Sequence, residues 1–288
     1  MFEGIIPALV TPFDDELKVD YRGIEKNLEF LEKYVDALVP AGTTGEAATL
    51  SYQEHIEVVK HVAEVSKLPV IGGAGSNSTR EAVFLAKEVE KAGAEAAMLV
   101  TPYYNKPNAE GLYLHYKTVA ESVSIPIIIY NVPSRTACNI TPDVVERLAE
   151  IDNIVGIKEA SGNLKQVCEI IKRTPDDFIL LSGDDFLTLA ILCLGGKGVI
   201  SVAANVAPQM MKEMYIAFKE GNLEKAREMH YRLMPLFSAL FIDTNPIPVK
   251  KAMELMGMPA GKPRPPLVEL NEEKTEKLKE VLKSLGLL

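Results

Sequence analysis

Eight short apolar runs alternate with longer amphipathic segments along the chain, and this alternation restricts the possible fold more than any other feature. The runs are Ile5–Val10, Ala37–Pro40, Pro69–Gly72, Glu95–Val100, Ile125–Tyr130, Ile154–Lys158, Phe178–Ser182 and Gly198–Val202. Most of them are almost continuously apolar, which is typical of parallel strands that are covered on both faces.

The segments between the runs have the spacing of amphipathic helices. Apolar residues recur at intervals of three and four, as in Ile24, Leu28 and Leu31. Residue types that favour helix N-caps precede several of these segments, namely Asp20, Ser51, Ser78 and Thr141. Because eight strand-helix units close a (β/α)₈ barrel, the sequence predicts an α/β fold of the TIM-barrel class.

The chain has 288 residues, a length that suits one such barrel or two average domains. We expect the catalytic barrel to occupy residues 1–220 and a C-terminal helical extension to occupy residues 221–288, because no convincing strand follows Val202. Helical spacing appears in three later segments, Asn222–Leu233, Pro246–Met256 and Asn271–Ser284. We expect this extension to pack on the barrel and to serve assembly rather than catalysis.

Composition excludes several classes of partner. Forty acidic against 31 basic residues give a net charge of −9, which disfavours nucleic acid and anionic membrane surfaces. No run approaches the roughly 18 apolar residues of a membrane span. Three cysteines without a CxxC pair argue against a disulfide framework and fit a reducing cytoplasm. The four histidines lack the spacing of metal ligands, so we expect no metal.

Active sites of this fold lie at the C-terminal ends of the strands, so the residues that follow each apolar run are the candidates. The segment Gly42–Glu46, with the sequence GTTGE, follows the second run. Its glycines permit tight backbone curvature, and its hydroxyls and N–H groups could hold a carboxylate. The alternative is an ordinary turn.

Tyrosines and an arginine follow two further runs. Tyr130 ends the fifth run and Arg135 comes five residues later. A phenol can transfer protons and a guanidinium binds carboxylates in bidentate fashion, although a core tyrosine and a solvated arginine would give the same pattern. Tyr103 and Tyr104 follow the fourth run, where packing at the barrel rim is the simpler interpretation.

Lys158 stands at the end of the sixth apolar run, which is an unusual place for a charged side chain. Desolvation disfavours an ammonium and favours the neutral amine, which attacks carbonyls to form Schiff bases. The alternative is an ion pair with Glu159 at the rim.

Together the residues at the ends of these runs, with residues 198–205 and 245–250, resemble the dihydrodipicolinate synthase family over essentially the whole chain. The resemblance implies condensation of pyruvate with L-aspartate 4-semialdehyde in lysine and diaminopimelate biosynthesis, in the cytoplasm and without an organic cofactor. N-acetylneuraminate lyases and 2-keto-3-deoxy-sugar acid aldolases share the barrel and its lysine, so both activities stay open. The non-enzymatic alternative is a catalytically degenerate barrel that binds a ligand.

The resemblance also implies a role for several of the residues at the ends of the runs. Lys158 forms the imine, and Tyr130 relays protons. Thr43 and Thr44 complete the relay and bind the carboxylate of pyruvate. Arg135 binds the carboxylate of the aldehyde substrate.

Further residues are implied in the same way. Gly183 and Ile200 would line the pyruvate pocket through their backbone carbonyls. Tyr104 would complete the relay of a neighbouring subunit, which implies a homodimer as the minimal active unit and a homotetramer built from two dimers.

Lysine-sensitive members of the family bind lysine at the interface between the two subunits of this dimer. The matching positions here are His55, Asn77, Glu81 and Tyr103. Ala47 lacks a hydroxyl and Tyr52 adds bulk at two other positions of that pocket, so we expect at most partial inhibition by lysine.

Overall fold

Seven parallel strands form a curled sheet at the centre of the computed structural model, which describes residues 2–288. The strands are β1 (Gly4–Pro7), β2 (Ile71–Gly73), β3 (Ala96–Val100), β4 (Ile127–Asn131), β5 (Ile154–Glu159), β6 (Ile179–Ser182) and β7 (Gly198–Ser201). Their order in the sheet is β1-β7-β6-β5-β4-β3-β2. Each therefore neighbours the next in sequence, except that β1 pairs with β7.

One of the eight expected strands, Ala37–Pro40, is reduced to isolated bridges that close the barrel. Val39 bridges to Ala8 beyond β1, and Leu38 bridges to Val70 before β2, both in parallel orientation. A longer ladder is prevented because Pro40 has no N–H to donate and Ala41 turns the chain with a φ of 52°. The predicted TIM-barrel fold is confirmed, and one of its eight expected strands is reduced to two bridging residues.

Twelve α-helices are present in residues 2–288. They are α1 (Tyr21–Leu31), α2 (Tyr52–Val65), α3 (Thr79–Lys91), α4 (Ala109–Ala120), α5 (Pro133–Thr136), α6 (Pro142–Leu148), α7 (Leu164–Arg173), α8 (Thr188–Cys193), α9 (Pro208–Lys219), α10 (Leu223–Ala239), α11 (Ile247–Leu255) and α12 (Glu272–Ser284). The side chains of Asp20, Ser51 and Ser78 accept hydrogen bonds as N-caps, whereas Thr141 occupies the N-cap of α6 without one. None of these helices has the length and apolar character needed to cross a bilayer.

The helices after residue 220 follow the predicted pattern with one extension. Helix α10 continues past Leu233 to Ala239, with Pro235 inside it, because Leu236 and Phe237 add further buried apolar surface. The boundary between barrel and extension at residue 220 stays a prediction.

Two apolar cores lie on either side of the sheet. The inner one fills the barrel and includes Ile6, Val39, Ile128, Leu181 and Ile200. The larger outer core lies between the sheet and the helices. Because side chains alternate along a strand, this arrangement fixes which strand-end residues face the barrel interior.

A buried ion pair joins the C-terminal helices to the GTTGE segment. The Lys250 ammonium lies 2.7 Å from a carboxylate oxygen of Glu46, and both side chains are 1% exposed. Lys250 also donates to the carbonyls of Thr11 at 3.2 Å and Lys262 at 3.1 Å. The other Glu46 oxygen accepts the N–H of Arg264 at 2.8 Å. These partners offset the cost of desolvating both charges, although burial still lowers the pKa of Lys250.

Replacing Lys250 by methionine should destabilise the protein strongly, because it leaves the Glu46 carboxylate buried without its cation. We expect the free energy of unfolding to fall by about 3 to 5 kcal/mol in guanidinium chloride titrations. Lys251→Met is the matched control, since Lys251 pairs with the exposed Glu254 and its loss should cost less than about 1 kcal/mol. Equal losses in the two variants would contradict a special role for the buried pair.

Candidate active site

Lys158 and Tyr130 lie side by side within the barrel. They are register partners on β5 and β4, and their side chains are 5% and 6% exposed. The Lys158 nitrogen lies 4.1 Å from the centroid of the Tyr130 ring. The barrel therefore holds an amine and a phenol together in an apolar environment.

The alternative of a Lys158–Glu159 ion pair is wrong. Among residues 2–288 no carboxylate oxygen lies within 4.0 Å of the Lys158 nitrogen. The Glu159 carboxylate instead accepts hydrogen bonds from Asn131 at 2.9 Å and Gln166 at 3.0 Å. Neighbouring residues of a strand point to opposite faces, so Glu159 and Lys158 have different surroundings.

Gly183 adjoins the lysine side chain, and Ile200 lies in the inner core of the barrel. A Cβ atom at position 183 would lie 3.2 Å from Cγ and Cε of Lys158 and 2.6 Å from the Cβ of Ala160. Glycine therefore leaves the room that the lysine side chain occupies. Ile200, on β7, belongs to the same inner core as Tyr130.

The GTTGE segment is held closely against the barrel. A Cβ atom at Gly73 would lie 2.1 Å from the carbonyl oxygen of Ala41, so the backbone of β2 and the start of the segment are in direct contact. Thr11 Oγ1 donates to the Gly45 carbonyl at 2.7 Å. Thr44 is buried, and its hydroxyl oxygen accepts a hydrogen bond from Asn245 Nδ2 at 3.0 Å.

A cavity of about 560 Å³ opens at this end of the barrel. Thr43, Tyr130, Arg135 and Asn245 are among its lining residues. Arg135 is exposed, and its Nη2 donates to the main-chain carbonyl of Asn245 at 3.2 Å. The cavity thus places hydroxyls, a phenol and a guanidinium around one volume. Within residues 2–288, no group of three or more His, Cys, Asp or Glu side chains is arranged to hold a metal ion.

Asn245 is the polar residue of this site that sequence reasoning missed. It precedes α11 and contacts both Thr44 and Arg135, which lie 201 and 110 residues away in the chain. No local spacing pattern reports contacts over such distances. The only sequence signal was its place in the 245–250 segment that carries part of the family resemblance.

Tyr104 lies outside the cavity of its own chain. Its side chain is 89% exposed, and its φ of 69° is in the left-handed region, which is uncommon for a residue with a side chain. The next residue, Asn105, donates from Nδ2 to the Asn77 carbonyl at 2.9 Å. A single chain therefore does not bring Tyr104 to Lys158.

Three of the four candidate lysine-binding residues, His55, Glu81 and Tyr103, line the same cavity as Arg135. His55 donates from Nε2 to the Gly73 carbonyl at 2.6 Å, and burial lowers the pKa of His55. Glu81 accepts a hydrogen bond from Ser76 at 2.8 Å. Asn77, the fourth, supplies its carbonyl to Asn105 instead.

Sequence and structure comparisons agree on one family. The model of the dihydrodipicolinate synthetase family matches residues 1–285. The 4-hydroxy-tetrahydrodipicolinate synthase of Archaeoglobus fulgidus is 80% identical over the whole of both chains, and that of Methanopyrus kandleri is 57% identical over 99% of this chain and 97% of its own. The solved dihydrodipicolinate synthase of Aquifex aeolicus superposes with a TM-score of 0.97 at 48% identity, covering 99% of each chain. That of Thermotoga maritima gives 0.98 at 45% identity, covering both chains completely. The chain belongs to the dihydrodipicolinate synthetase family.

Proposed function

We propose that the chain is a lyase that condenses pyruvate with L-aspartate 4-semialdehyde to give 4-hydroxy-tetrahydrodipicolinate, the first committed step of diaminopimelate and lysine biosynthesis. The observation that carries the proposal is a buried Lys158 without a counter-ion, 4.1 Å from the ring of Tyr130, which lines a cavity together with Arg135. The 80% identity to the Archaeoglobus fulgidus synthase supports it. A cytoplasmic location is part of the same proposal.

The first half of the reaction forms a Schiff base on Lys158. The neutral amine attacks the ketone carbon of pyruvate, a C–N bond forms, and the ketone oxygen leaves as water after protonation. The resulting iminium withdraws electrons, so a methyl proton of the pyruvate unit is lost and an enamine forms. Tyr130 donates and accepts the protons of these steps.

The second half joins the two substrates and releases the product. The enamine carbon attacks the aldehyde carbon, a C–C bond forms, and the aldehyde oxygen takes a proton to become a hydroxyl. The amine of the same substrate then attacks the iminium carbon and closes a six-membered ring. The bond to Lys158 breaks, and the lysine leaves as a free amine ready for another turnover.

The other site residues bind the carboxylates of the two substrates. Thr43 and Thr44 bind the carboxylate of pyruvate, while the backbone carbonyls of Gly183 and Ile200 line its pocket. Arg135 binds the carboxylate of the semialdehyde, which suits the bidentate geometry of a guanidinium. None of these steps draws on an organic cofactor.

Two other function classes share part of this site. Sugar-acid aldolases and N-acetylneuraminate lyases use the same imine, but the exposed guanidinium of Arg135 at the cavity favours a small aldehyde that carries a carboxylate. A degenerate ligand-binding barrel would be expected to lack at least one of Lys158, Tyr130, Thr43, Thr44 and Arg135, and all five are present.

Borohydride should trap pyruvate on Lys158, because reduction converts the labile imine into a stable secondary amine. Peptide mapping by mass spectrometry should find the pyruvate-derived mass on the Lys158 peptide. It should be absent from Lys158→Ala and unchanged in Lys165→Ala, which replaces an exposed lysine. Labelling that persists in Lys158→Ala would overturn the assignment.

Arg135→Ala should act mainly on the aldehyde substrate, since pyruvate has other carboxylate partners. Loss of a hydrogen bond to a charged group costs about 1.5 to 3 kcal/mol, so KM for the semialdehyde should rise on the order of ten- to a hundredfold. Arg147→Ala, at an arginine paired with Glu110 on the outer surface, should leave both constants unchanged. An equal rise in KM for pyruvate and for the semialdehyde in Arg135→Ala would argue against this role.

A homodimer is the proposed minimal active unit, with two dimers pairing into a homotetramer, because the exposed Tyr104 lies outside the cavity of its own chain. Mixing inactive Tyr104→Phe chains with inactive Lys158→Ala chains should restore activity, since some sites then receive both intact residues. Tyr231→Phe, at another exposed tyrosine, should remain active alone. Sedimentation of the active wild-type species as a monomer would rule the proposal out.

Lysine is proposed to bind weakly through His55, Asn77, Glu81 and Tyr103. Tyr52 is half exposed beside this part of the cavity and packs edge-on against Phe84, with 5.8 Å between ring centroids, so it adds bulk there. Lysine titration should give partial inhibition at high concentration only. Tight, complete inhibition would contradict the expectation that Tyr52 and Ala47 weaken lysine binding. Absence of binding in calorimetry would eliminate the site.

A further inference from the structure

The side chain of Asn245 has one buried polar atom without a partner. The residue is 5% exposed and lines the cavity. Its Nδ2 donates to Thr44 Oγ1 at 3.0 Å, and its main-chain carbonyl accepts from Arg135 at 3.2 Å. Its side-chain oxygen, Oδ1, has no hydrogen-bond partner among residues 2–288.

This orientation of the amide has a chemical reason. A threonine hydroxyl has a single proton, and Thr44 must donate it if it is to bind a carboxylate. Because the Thr44 oxygen accepts the N–H of Asn245, its own proton stays available for the substrate. The same orientation directs the nitrogen of the amide to Thr44 and leaves Oδ1 as a buried acceptor without a partner.

A buried acceptor without a donor is costly, so a ligand that supplies an N–H or O–H group would stabilise the site. Pyruvate at neutral pH has no such group. The second substrate has an amine on the same carbon as the carboxylate that Arg135 binds. Since Arg135 donates to the main-chain carbonyl of Asn245, an amino acid whose carboxylate binds Arg135 would lie beside Asn245.

We infer that Oδ1 of Asn245 accepts a hydrogen bond from the amine of the second substrate and so selects amino aldehydes over aldehydes without an amine. This role rests on the proposed function. An acceptor on one N–H of the neutral amine leaves the nitrogen lone pair free for the attack that closes the ring.

Succinate semialdehyde provides the test, because it is L-aspartate 4-semialdehyde without the amine. It cannot close the ring, so it is measured by its inhibition constant in initial-rate assays. The readout is this inhibition constant divided by the KM for aspartate semialdehyde. Both compounds have the same carboxylate, so changes that act through Arg135 or Thr44 largely cancel in this ratio.

The variants separate the two functions of the amide. Asn245→Ala and Asn245→Leu remove the acceptor and should lower the ratio about two- to tenfold. Having both variants keeps the test available if one of them folds poorly. Asn245→Asp keeps an acceptor oxygen but loses the donor to Thr44, so KM for pyruvate should rise while the ratio is retained. Thr44→Val should likewise raise KM for pyruvate and leave the ratio near the wild-type value.

An unchanged ratio in Asn245→Ala and Asn245→Leu, with aspartate semialdehyde turned over by the wild type, would overturn the role of Asn245 alone. A ratio that falls equally in Asn245→Asp would also overturn it, because the acceptor is still present in that variant. A wild-type protein that forms no product from pyruvate and aspartate semialdehyde would refute the proposed function and the role of Asn245 together.

Discussion

The burial of the Lys158 amine without a counter-ion is the constraint on which the rest of the site depends. A lysine at this depth is normally paired, because an isolated ammonium is expensive to desolvate. Here it lies beside the Tyr130 ring, and its side chain fills the room that Gly183 leaves. Parallel register between β4 and β5 places the amine and the phenol together, so strand pairing alone accounts for their proximity.

The segments that follow α10 complete this site from outside the barrel. Asn245 contacts Thr44 and Arg135, and Lys250 holds Glu46. Further along, Arg264 forms a bidentate ion pair with Glu54 at 2.6 and 3.0 Å, which lowers the pKa of Glu54 to about 2. The extension therefore fixes the GTTGE segment as well as covering the barrel, and this goes beyond the role in assembly expected from the sequence.

The parts of the molecule that depend on local pattern were predictable, and those that depend on distant contacts were not. Continuous apolar runs predicted all seven strands, but the run at 37–40 supports only bridges because Pro40 and Ala41 end it. Lys158 and Tyr130 stand out because each ends an apolar run, and Arg135 stands out because it comes five residues after Tyr130. The ion-pair partner of Glu46 could not be predicted, since Lys250 lies 204 residues away.

Product analysis with three substrate sets tests the central claim most directly. The protein would be incubated with pyruvate plus L-aspartate 4-semialdehyde, with N-acetylneuraminate, and with 2-keto-3-deoxygluconate, and the products identified by mass spectrometry. We expect the cyclic condensation product from the first set and no pyruvate released from the other two. Pyruvate release from either sugar acid, with no condensation product from the semialdehyde, would contradict the account.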